Sequence, residues 1–279
     1  MAHYAWLVAA GAALGTIGTL IGAGGGFVLM PALLLAYPQA SPETITSISL
    51  AVVFCNALSG SCAYARMKRI DYRTGLLLAA ATVPGAILGA VTTNYIPRRL
   101  FDAVFGLLML AAAAWLFFHR NARGTAVRRT DRRLTSRTIV EASGAVHHFS
   151  YDLRLGMWLS LVVGYVSSVL GIGGGIIHVP ALISLLDFPV HIATATSHFI
   201  LAIMALTGTI VHIATGSFAH GGVHRTLGLG LGVLIGAQAG AWISARVHGI
   251  WIVRGLAVAL AFVGIRILLL TFGTMHPIA

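Results

Sequence analysis

The sequence predicts an all-α polytopic membrane protein with eight transmembrane helices in two repeated four-helix halves, the first helix of each half broken at a glycine-rich motif. Hydrophobic residues make up 58% of the chain and charged residues 9%, whereas soluble domains carry roughly a quarter charged residues. Apolar runs of about the ~20 residues that span hydrocarbon fill most of the length. One glycine-rich segment occurs twice, 149 residues apart. Composition therefore excludes a soluble globular domain, and the recurrence indicates duplication.

Eight apolar segments are candidates for the membrane helices. They cover residues 5–36, 44–65, 74–96, 100–118, 155–186, 193–214, 226–247 and 250–272. The segments divide into a first repeat over 1–119 and a second over 153–279, joined by an Arg-rich linker over 120–152. Because basic loops beside a span mark the cytoplasmic side, we expect the linker to be cytoplasmic and regard nucleic-acid binding as a poor explanation of the net charge of +11.

The repeated segment reads Gly-Ala-Gly-Gly-Gly-Phe-Val-Leu-Met-Pro at 22–31 and Gly-Ile-Gly-Gly-Gly-Ile-Ile-His-Val-Pro at 171–180. Adjacent glycines permit left-handed backbone, and the proline denies the following turn a donor. Each segment is thus expected to restart as a half-helix whose first N–H groups form an anion site at membrane depth. Close helix packing is the simpler explanation of glycines, but the recurrence favours a site. The candidate residues are Gly22, Gly24, Gly25, Gly26, Pro31, Gly171, Gly173, Gly174, Gly175 and Pro180.

Matched hydroxyl pairs follow the two motifs. Thr46 and Ser47 correspond to Thr196 and Ser197, near the start of a predicted helix in each half. Such hydroxyls either cap the helix or face a cavity, and the sequence leaves both open. Asn56 lies in mid-span with four hydrogen-bonding positions to satisfy. All five are predicted to contribute to the substrate site.

The acidic residues indicate the sign of the substrate. The chain holds seven: Glu43, Asp71, Asp102, Asp131, Glu141, Asp152 and Asp187. All fall in predicted loops or at segment ends, whereas a cation carrier needs a carboxylate within a span. The transported species is therefore expected to be an anion.

Histidines are the remaining titratable groups within the predicted spans. His178 lies inside the second motif, where the first has Leu29, and is expected to couple transport to protons. His198 and His212 serve equally well as interhelical hydrogen-bonding groups. No histidine pair suits a metal inside a span, and no nucleotide loop or nucleophile elbow occurs, so neither metal nor cofactor is expected. An enzyme built on Ser197 and His198 is disfavoured because sequence neighbours on a helix do not face each other.

Glycines also recur every fourth residue in the seventh segment, at Gly228, Gly232, Gly236 and Gly240, and Gly85 with Gly89 echo them in the third. This spacing predicts close helix packing rather than a site.

The topology has two solutions. If each glycine segment crosses the membrane once, eight spans form two parallel halves with both ends cytoplasmic, which is the favoured arrangement. If each folds back as a re-entrant pair, each half crosses three times and the repeats are inverted. The second half does not decide, because Arg225 supports one arrangement and Arg246 with Arg254 the other.

On the paired motifs, the Thr-Ser pairs and the basic turn Asp71-Tyr72-Arg73, the chain resembles the TauE/SafE family of bacterial inner membranes. The resemblance implies a secondary carrier of a sulfur-containing anion such as sulfite, a sulfonate or thiosulfate. The two helix breaks predict that the halves rock to expose the site alternately, which is an alternating-access mechanism. The chain departs from the family pattern at Val223-His224-Arg225 and at His178, which leaves the substrate open. An anion channel is the alternative. The expected partners are the small anion and the lipid bilayer; import or export, and a homodimer, stay open.

Overall fold

A computed structural model describes residues 2–22, 24–118, 134–218, 222–244 and 249–273. These residues form helices and one two-stranded sheet. The helices are α1 (Ala2–Ile21), α2 (Gly26–Ala36), α3 (Pro42–Arg66), α4 (Tyr72–Thr93), α5 (Arg98–Phe118), α6 (Leu153–Leu170), α7 (Gly175–Leu185), α8 (Val190–Ala214), α9 (Gly222–Ser244) and α10 (Gly249–Gly273). Each predicted apolar segment corresponds to one helix or, at the two glycine motifs, to two.

Five helices are long and apolar enough to cross a membrane, counted over the described residues. They are α3, α4, α6, α8 and Val223–Ser244 of α9. Large apolar side chains are exposed on several helices, among them Leu231, Ile235, Phe262 and Leu269, and such surfaces suit contact with lipid. The chain is therefore a multi-pass helical membrane protein.

Local sequence sets where several helices begin. Pro42 occupies the first turn of α3, where its missing N–H costs nothing. Asp71 caps α4 by accepting a hydrogen bond from the N–H of Thr74 at 3.3 Å. Asp152 caps α6 by accepting from the N–H of Arg154 at 2.9 Å.

The helices pack as two bundles and a pair. The first bundle comprises α1, α2, α3 and α9, the second comprises α4, α6, α7 and α8, and α5 packs against α10. Contacts between α3 and α8 join the bundles. The predicted glycine packing is present in both, because an added Cβ at Gly236 would collide with the carbonyl of Ala12, and one at Gly89 would lie 2.5 Å from the carbonyl of Tyr165.

The directions of α3 and α8 decide between the two predicted topologies. A Cβ at Gly60, late in α3, would meet His198, early in α8, whereas one at Gly208, late in α8, would meet Leu50, early in α3. The two helices are therefore antiparallel. Parallel halves require them to be parallel, so the arrangement favoured from the sequence is wrong.

The described part of the linker folds into a hairpin. Residues 135–151 form an antiparallel hairpin of β1 (Thr135–Val140) and β2 (Val146–Tyr151), an element that the all-α prediction did not include. Phe149 packs on Phe188 with ring centroids 4.4 Å apart. The part of the linker before residue 134 lies outside the described residues. The hairpin caps the end of the molecule where α4, α6 and α8 begin.

Candidate functional site

Both glycine motifs reverse the direction of the chain. Gly22, Gly24 and Gly25 have φ between 73° and 80°, in the left-handed region that favours glycine. A straight helix would place Gly25 about 10 Å beyond Gly18, but a Cβ built on Gly25 would lie 3.8 Å from the Cα of Gly18 and 3.0 Å from the carbonyl oxygen of Leu14. The start of α2 therefore folds back beside α1.

The second motif repeats this geometry. Gly171, Gly173 and Gly174 have φ between 61° and 78°. A Cβ on Gly174 would lie 3.2 Å from Ser167 Oγ, a residue of the preceding helix. The predicted helix breaks are thus present in both halves, and each break is a tight reversal between α1 and α2 or between α6 and α7.

The two reversals contact each other where α3 crosses α8. A Cβ on Gly26 would lie 2.6 Å from the carbonyl oxygen of Ile172. Gly24 and Gly173 each pack against both Val53 of α3 and Leu201 of α8. The first residues of α2 and α7 are buried at this crossing. Because the first turn of a helix leaves its N–H groups without intrahelical partners, the crossing gathers two helix N-termini in one place.

Three of the five predicted polar side chains carry an unpartnered buried atom among the described residues. These atoms are Thr46 Oγ1, Asn56 Nδ2 and Ser197 Oγ. Thr46 also lies against the second motif, since its Cγ2 would be 3.1 Å from a Cβ on Gly171. A buried polar atom without a partner costs free energy, so these groups are suited to a polar ligand.

The other two predicted hydroxyls have structural partners. Ser47 Oγ donates to the carbonyl of Thr44 at 2.8 Å. Thr196 Oγ1 accepts from the N–H of Asp71 at 3.1 Å, which links α8 to the α3–α4 turn. Every candidate of the predicted site is buried except Pro180, which is half-buried.

Several hydroxyls beside the reversals are not among the predicted site residues. Ser49 Oγ donates to the carbonyl of Gly171 at 2.6 Å. Thr19 Oγ1 donates to Asn56 Oδ1 at 3.1 Å. Ser167 and Ser168 have buried hydroxyls without partners among the described residues. Their position in the sequence could have identified two of them, because Thr19 and Ser168 each stand three residues before the first glycine of their motif.

Among the described residues, each of the three buried histidines contacts a hydroxyl. His178 Nε2 lies 3.1 Å from Ser160 Oγ, His198 Nε2 lies 3.3 Å from Thr19 Oγ1, and His212 Nδ1 lies 3.3 Å from the hydroxyl of Ser217. His178 is one turn beyond Gly174, whose carbonyl accepts its N–H at 2.8 Å. Among the described residues no cluster of potential metal ligands is present.

Ion pairs hold the hairpin over the end of the bundles. Arg137 Nη2 donates to Asp71 Oδ1 at 2.7 Å, and Arg69 Nε donates to Glu141 Oε2 at 2.8 Å. Burial alone would raise the pKa of Asp71, but hydrogen bonds from Arg137 and Thr74 outweigh it and hold the pKa below its usual value. Because Asp71 also binds Thr196, the hairpin is connected to the helix that carries the predicted site.

The chain matches one known protein family over nearly its whole length. Residues 7–267 match the sulfite exporter TauE/SafE family. The chain belongs to the TauE/SafE family. This assignment confirms the resemblance seen in the motifs, and it makes the chain a membrane transporter.

The relatives of this TauE/SafE protein carry general names. It is 30% identical to the probable membrane transporter protein YunE of Bacillus subtilis, over 94% of this chain and 96% of the relative. A probable membrane transporter protein of Sinorhizobium sp. is 27% identical over 98% of this chain and 94% of its own length. One from Methanocaldococcus jannaschii is 24% identical over 74% of this chain and 71% of the relative. No solved structure matches the chain.

Proposed function

We propose that this TauE/SafE protein is a secondary transporter of a small sulfur-containing anion, such as sulfite, a sulfonate or thiosulfate, in the bacterial inner membrane. The observation that carries the proposal is the contact between two left-handed glycine reversals, each of which starts a helix, at the crossing of α3 and α8.

The chemistry of the crossing favours a negative ligand. Helix N-termini carry partial positive charge and unpaired N–H groups, which stabilise anions. The acidic residues of the described helices lie within the first five positions of a helix, as Glu43 and Asp102 do. The buried polar atoms of Thr46, Asn56 and Ser197 would meet the anion at successive points rather than in one shell, because Thr46 and Asn56 stand ten residues, or about 15 Å, apart on α3.

Transport requires the bundles to separate. Gly26 packs so closely on the carbonyl of Ile172 that an anion between the reversals needs space that this conformation does not provide. The bundles meet along α3 and α8, so rocking about this contact would open the crossing to one face and then the other. Each bundle takes helices from both halves of the sequence, which makes the bundles, rather than the halves, the moving bodies.

The helix directions support inverted repeats over 1–119 and 153–279. The contacts of α1 with α9 correspond to those of α6 with α4, because α6 is the second-half equivalent of α1 and α4 is the first-half equivalent of α9. The equivalent helices α3 and α8 contact each other. A twofold axis that relates antiparallel α3 and α8 lies in the membrane plane, as in inverted-repeat transporters. The basic α3–α4 turn and the hairpin then face the cytoplasm, and α1 begins on the opposite side.

His178 is proposed to couple anion movement to protons. It stands one turn into α7 and shares a hydrogen bond with Ser160 of α6, so protonation would place a cation beside the second reversal. The coupling predicts that a proton gradient drives uptake in the wild type and that His178→Gln abolishes this dependence while facilitated flux persists.

Liposome flux tests the transport proposal. Gly25→Ala and Gly174→Ala each place a Cβ at a left-handed position, and we expect sulfite flux to fall by about tenfold or more because a few kcal/mol of strain moves the first turn of α2 or α7. Gly230→Ala is the matched control, since its Cβ would meet Cys55 Sγ at an ordinary 3.7 Å. Unchanged flux in the double variant would refute the site.

Counterflow separates a transporter from an anion channel in the same liposomes. A transporter exchanges trapped for external substrate and saturates, whereas a channel does neither. Sulfite, thiosulfate, a sulfonate and a carboxylate form the substrate panel. Exchange limited to the sulfur-containing anions would support the proposal, and exchange of carboxylates alone would contradict it.

A further inference from the structure

A cavity of about 420 Å³ lies at the hairpin end of the molecule, away from the glycine reversals. Its walls come from the end of α3, the turn of the hairpin and the end of α9. The polar and aromatic residues among them are Arg66, Arg69, Glu141, Ser143, Gln238 and Trp242. No step of the transport proposal uses this cavity.

Arg69, which lines the cavity, has a guanidinium nitrogen that lacks a hydrogen-bond partner among the described residues. Its Nε is bound by Glu141, but its Nη1 is buried without a hydrogen-bond partner in the described part of the chain. An arginine presents five N–H donors in a fork that matches two oxygens of a carboxylate or phosphate. A buried cationic donor left unpaired is costly, so Arg69 is prepared for an oxyanion.

The one carboxylate in the cavity does not oppose this ligand. Glu141 Oε2 accepts from Arg69, and Glu141 Oε1 lies 2.9 Å from His147 Nε2. Burial alone would raise the pKa of Glu141, but these two partners hold it below its usual value. Both of its oxygens are thus occupied, and the exposed Arg66, which also lines the cavity, adds a second positive charge.

The cavity borders an exposed apolar face of α9. Leu227, Leu231, Ile235 and Trp242 are each more than half exposed and follow one face of the helix. Gln238, which lines the cavity, falls on the same face. An acyl chain along this face would bring its headgroup to Arg66 and Arg69, and aromatic residues such as Trp242 commonly lie at that membrane depth.

We infer that Arg66, Arg69 and the hairpin turn form a binding site for a phosphate-type oxyanion, which is either the headgroup of an anionic phospholipid or a free anion of the same chemistry. Occupancy would add a further link between the hairpin turn and the first bundle, because Arg66 ends α3 and Arg69 follows it, whereas Ser143 belongs to the hairpin. The site is independent of the transport proposal.

Thermal unfolding of the full-length protein in phosphatidylcholine nanodiscs tests this site. One series adds inorganic phosphate at constant ionic strength, and the other replaces part of the lipid with phosphatidylglycerol. We expect one probe to raise the unfolding midpoint of the wild type. Arg66→Gln should weaken the apparent affinity by about tenfold or more, as for loss of a charge-assisted hydrogen bond, and Ser143→Glu should abolish the effect.

Arg73→Gln is the matched control, because Arg73 is exposed at the same end of the molecule and does not line the cavity. Stabilisation by phosphatidylglycerol alone assigns the site to a lipid headgroup, and stabilisation by inorganic phosphate assigns it to a free anion. The site is refuted if neither probe stabilises the wild type, or if Arg66→Gln and Arg73→Gln respond to the probes alike.

Discussion

Single hydroxyl groups divide into those that hold the fold and those that remain available to a ligand. Thr196 and Ser47 have partners in the protein, whereas Thr46 Oγ1 and Ser197 Oγ have none among the residues that the structure describes. Both pairs are the same Thr-Ser dipeptide in the sequence. The sequence therefore identified the four hydroxyls as candidates but not which of them bond within the protein. The bond from Asp71 to Thr196 joins residues 125 positions apart, and no local pattern encodes such a contact.

Removing the unpartnered hydroxyls tests this division. We expect Thr46→Val and Ser197→Ala each to raise the KM for sulfite by about tenfold, the value of one hydrogen bond to a charged group, with little change in the unfolding midpoint. Ser184→Ala is the control, because its hydroxyl bonds only to the carbonyl of Pro180 within α7 and is exposed. Flux kinetics and thermal unfolding measure both effects, and an unchanged KM in both variants would contradict the assignment.

Sequence patterns predict some of the secondary-structure elements of this chain but not others. Adjacent glycines in apolar segments predicted both helix breaks, because only glycine adopts left-handed backbone without strain. The direction after each break was not predictable, since it depends on packing against α3 and α8. The hairpin was missed for a different reason: its strands lie in an Arg-rich stretch whose composition indicates a loop, and they are held by distant residues such as Asp71 and Phe188.

The ion pair of Asp71 with Arg137 should make the attachment of the hairpin dependent on pH. The pKa of Asp71 is lowered in the folded protein, so its contribution to stability is present above the unfolded pKa of about 3.9 and is lost as pH falls through the folded pKa. Asp71→Asn should lower the free energy of unfolding by about 3 kcal/mol at pH 7, because the Asp71 side chain is fully buried and removal of its charge leaves Arg137 unpaired.

Unfolding midpoints of wild type and Asp71→Asn between pH 3 and 7 measure this contribution. The difference should be largest near neutral pH and shrink at the acidic end. Asp152→Asn, which alters only a helix cap that asparagine also satisfies, should show no such difference. A difference for Asp71→Asn that is constant with pH would show that the ion pair is not its source.

Over the whole molecule, the antiparallel crossing of α3 and α8 leads to a prediction about the two topologies that the sequence left open. The hairpin turn and the α4–α5 turn lie on opposite faces in either topology, because α4 separates them. The turn after α8 distinguishes the topologies. With inverted repeats it shares the face of the α4–α5 turn, and with parallel repeats it shares the face of the hairpin.

Cysteine labelling reads this difference directly. In a background with Cys55 and Cys62 replaced by alanine, single cysteines at Ser143, Tyr95 and Thr215, all exposed, are probed with a membrane-impermeant maleimide in intact cells and in inverted vesicles. Helix α8 begins beside Asp71, at the hairpin end, and its last turns lie beside the start of α3, at the opposite end. Thr215→Cys should therefore be labelled in intact cells, as Tyr95→Cys should be. Ser143→Cys should be labelled only in inverted vesicles. If Thr215→Cys is labelled only in inverted vesicles, as Ser143→Cys should be, the repeats are parallel. That result would contradict the in-plane twofold axis and the proposed rocking of the two bundles.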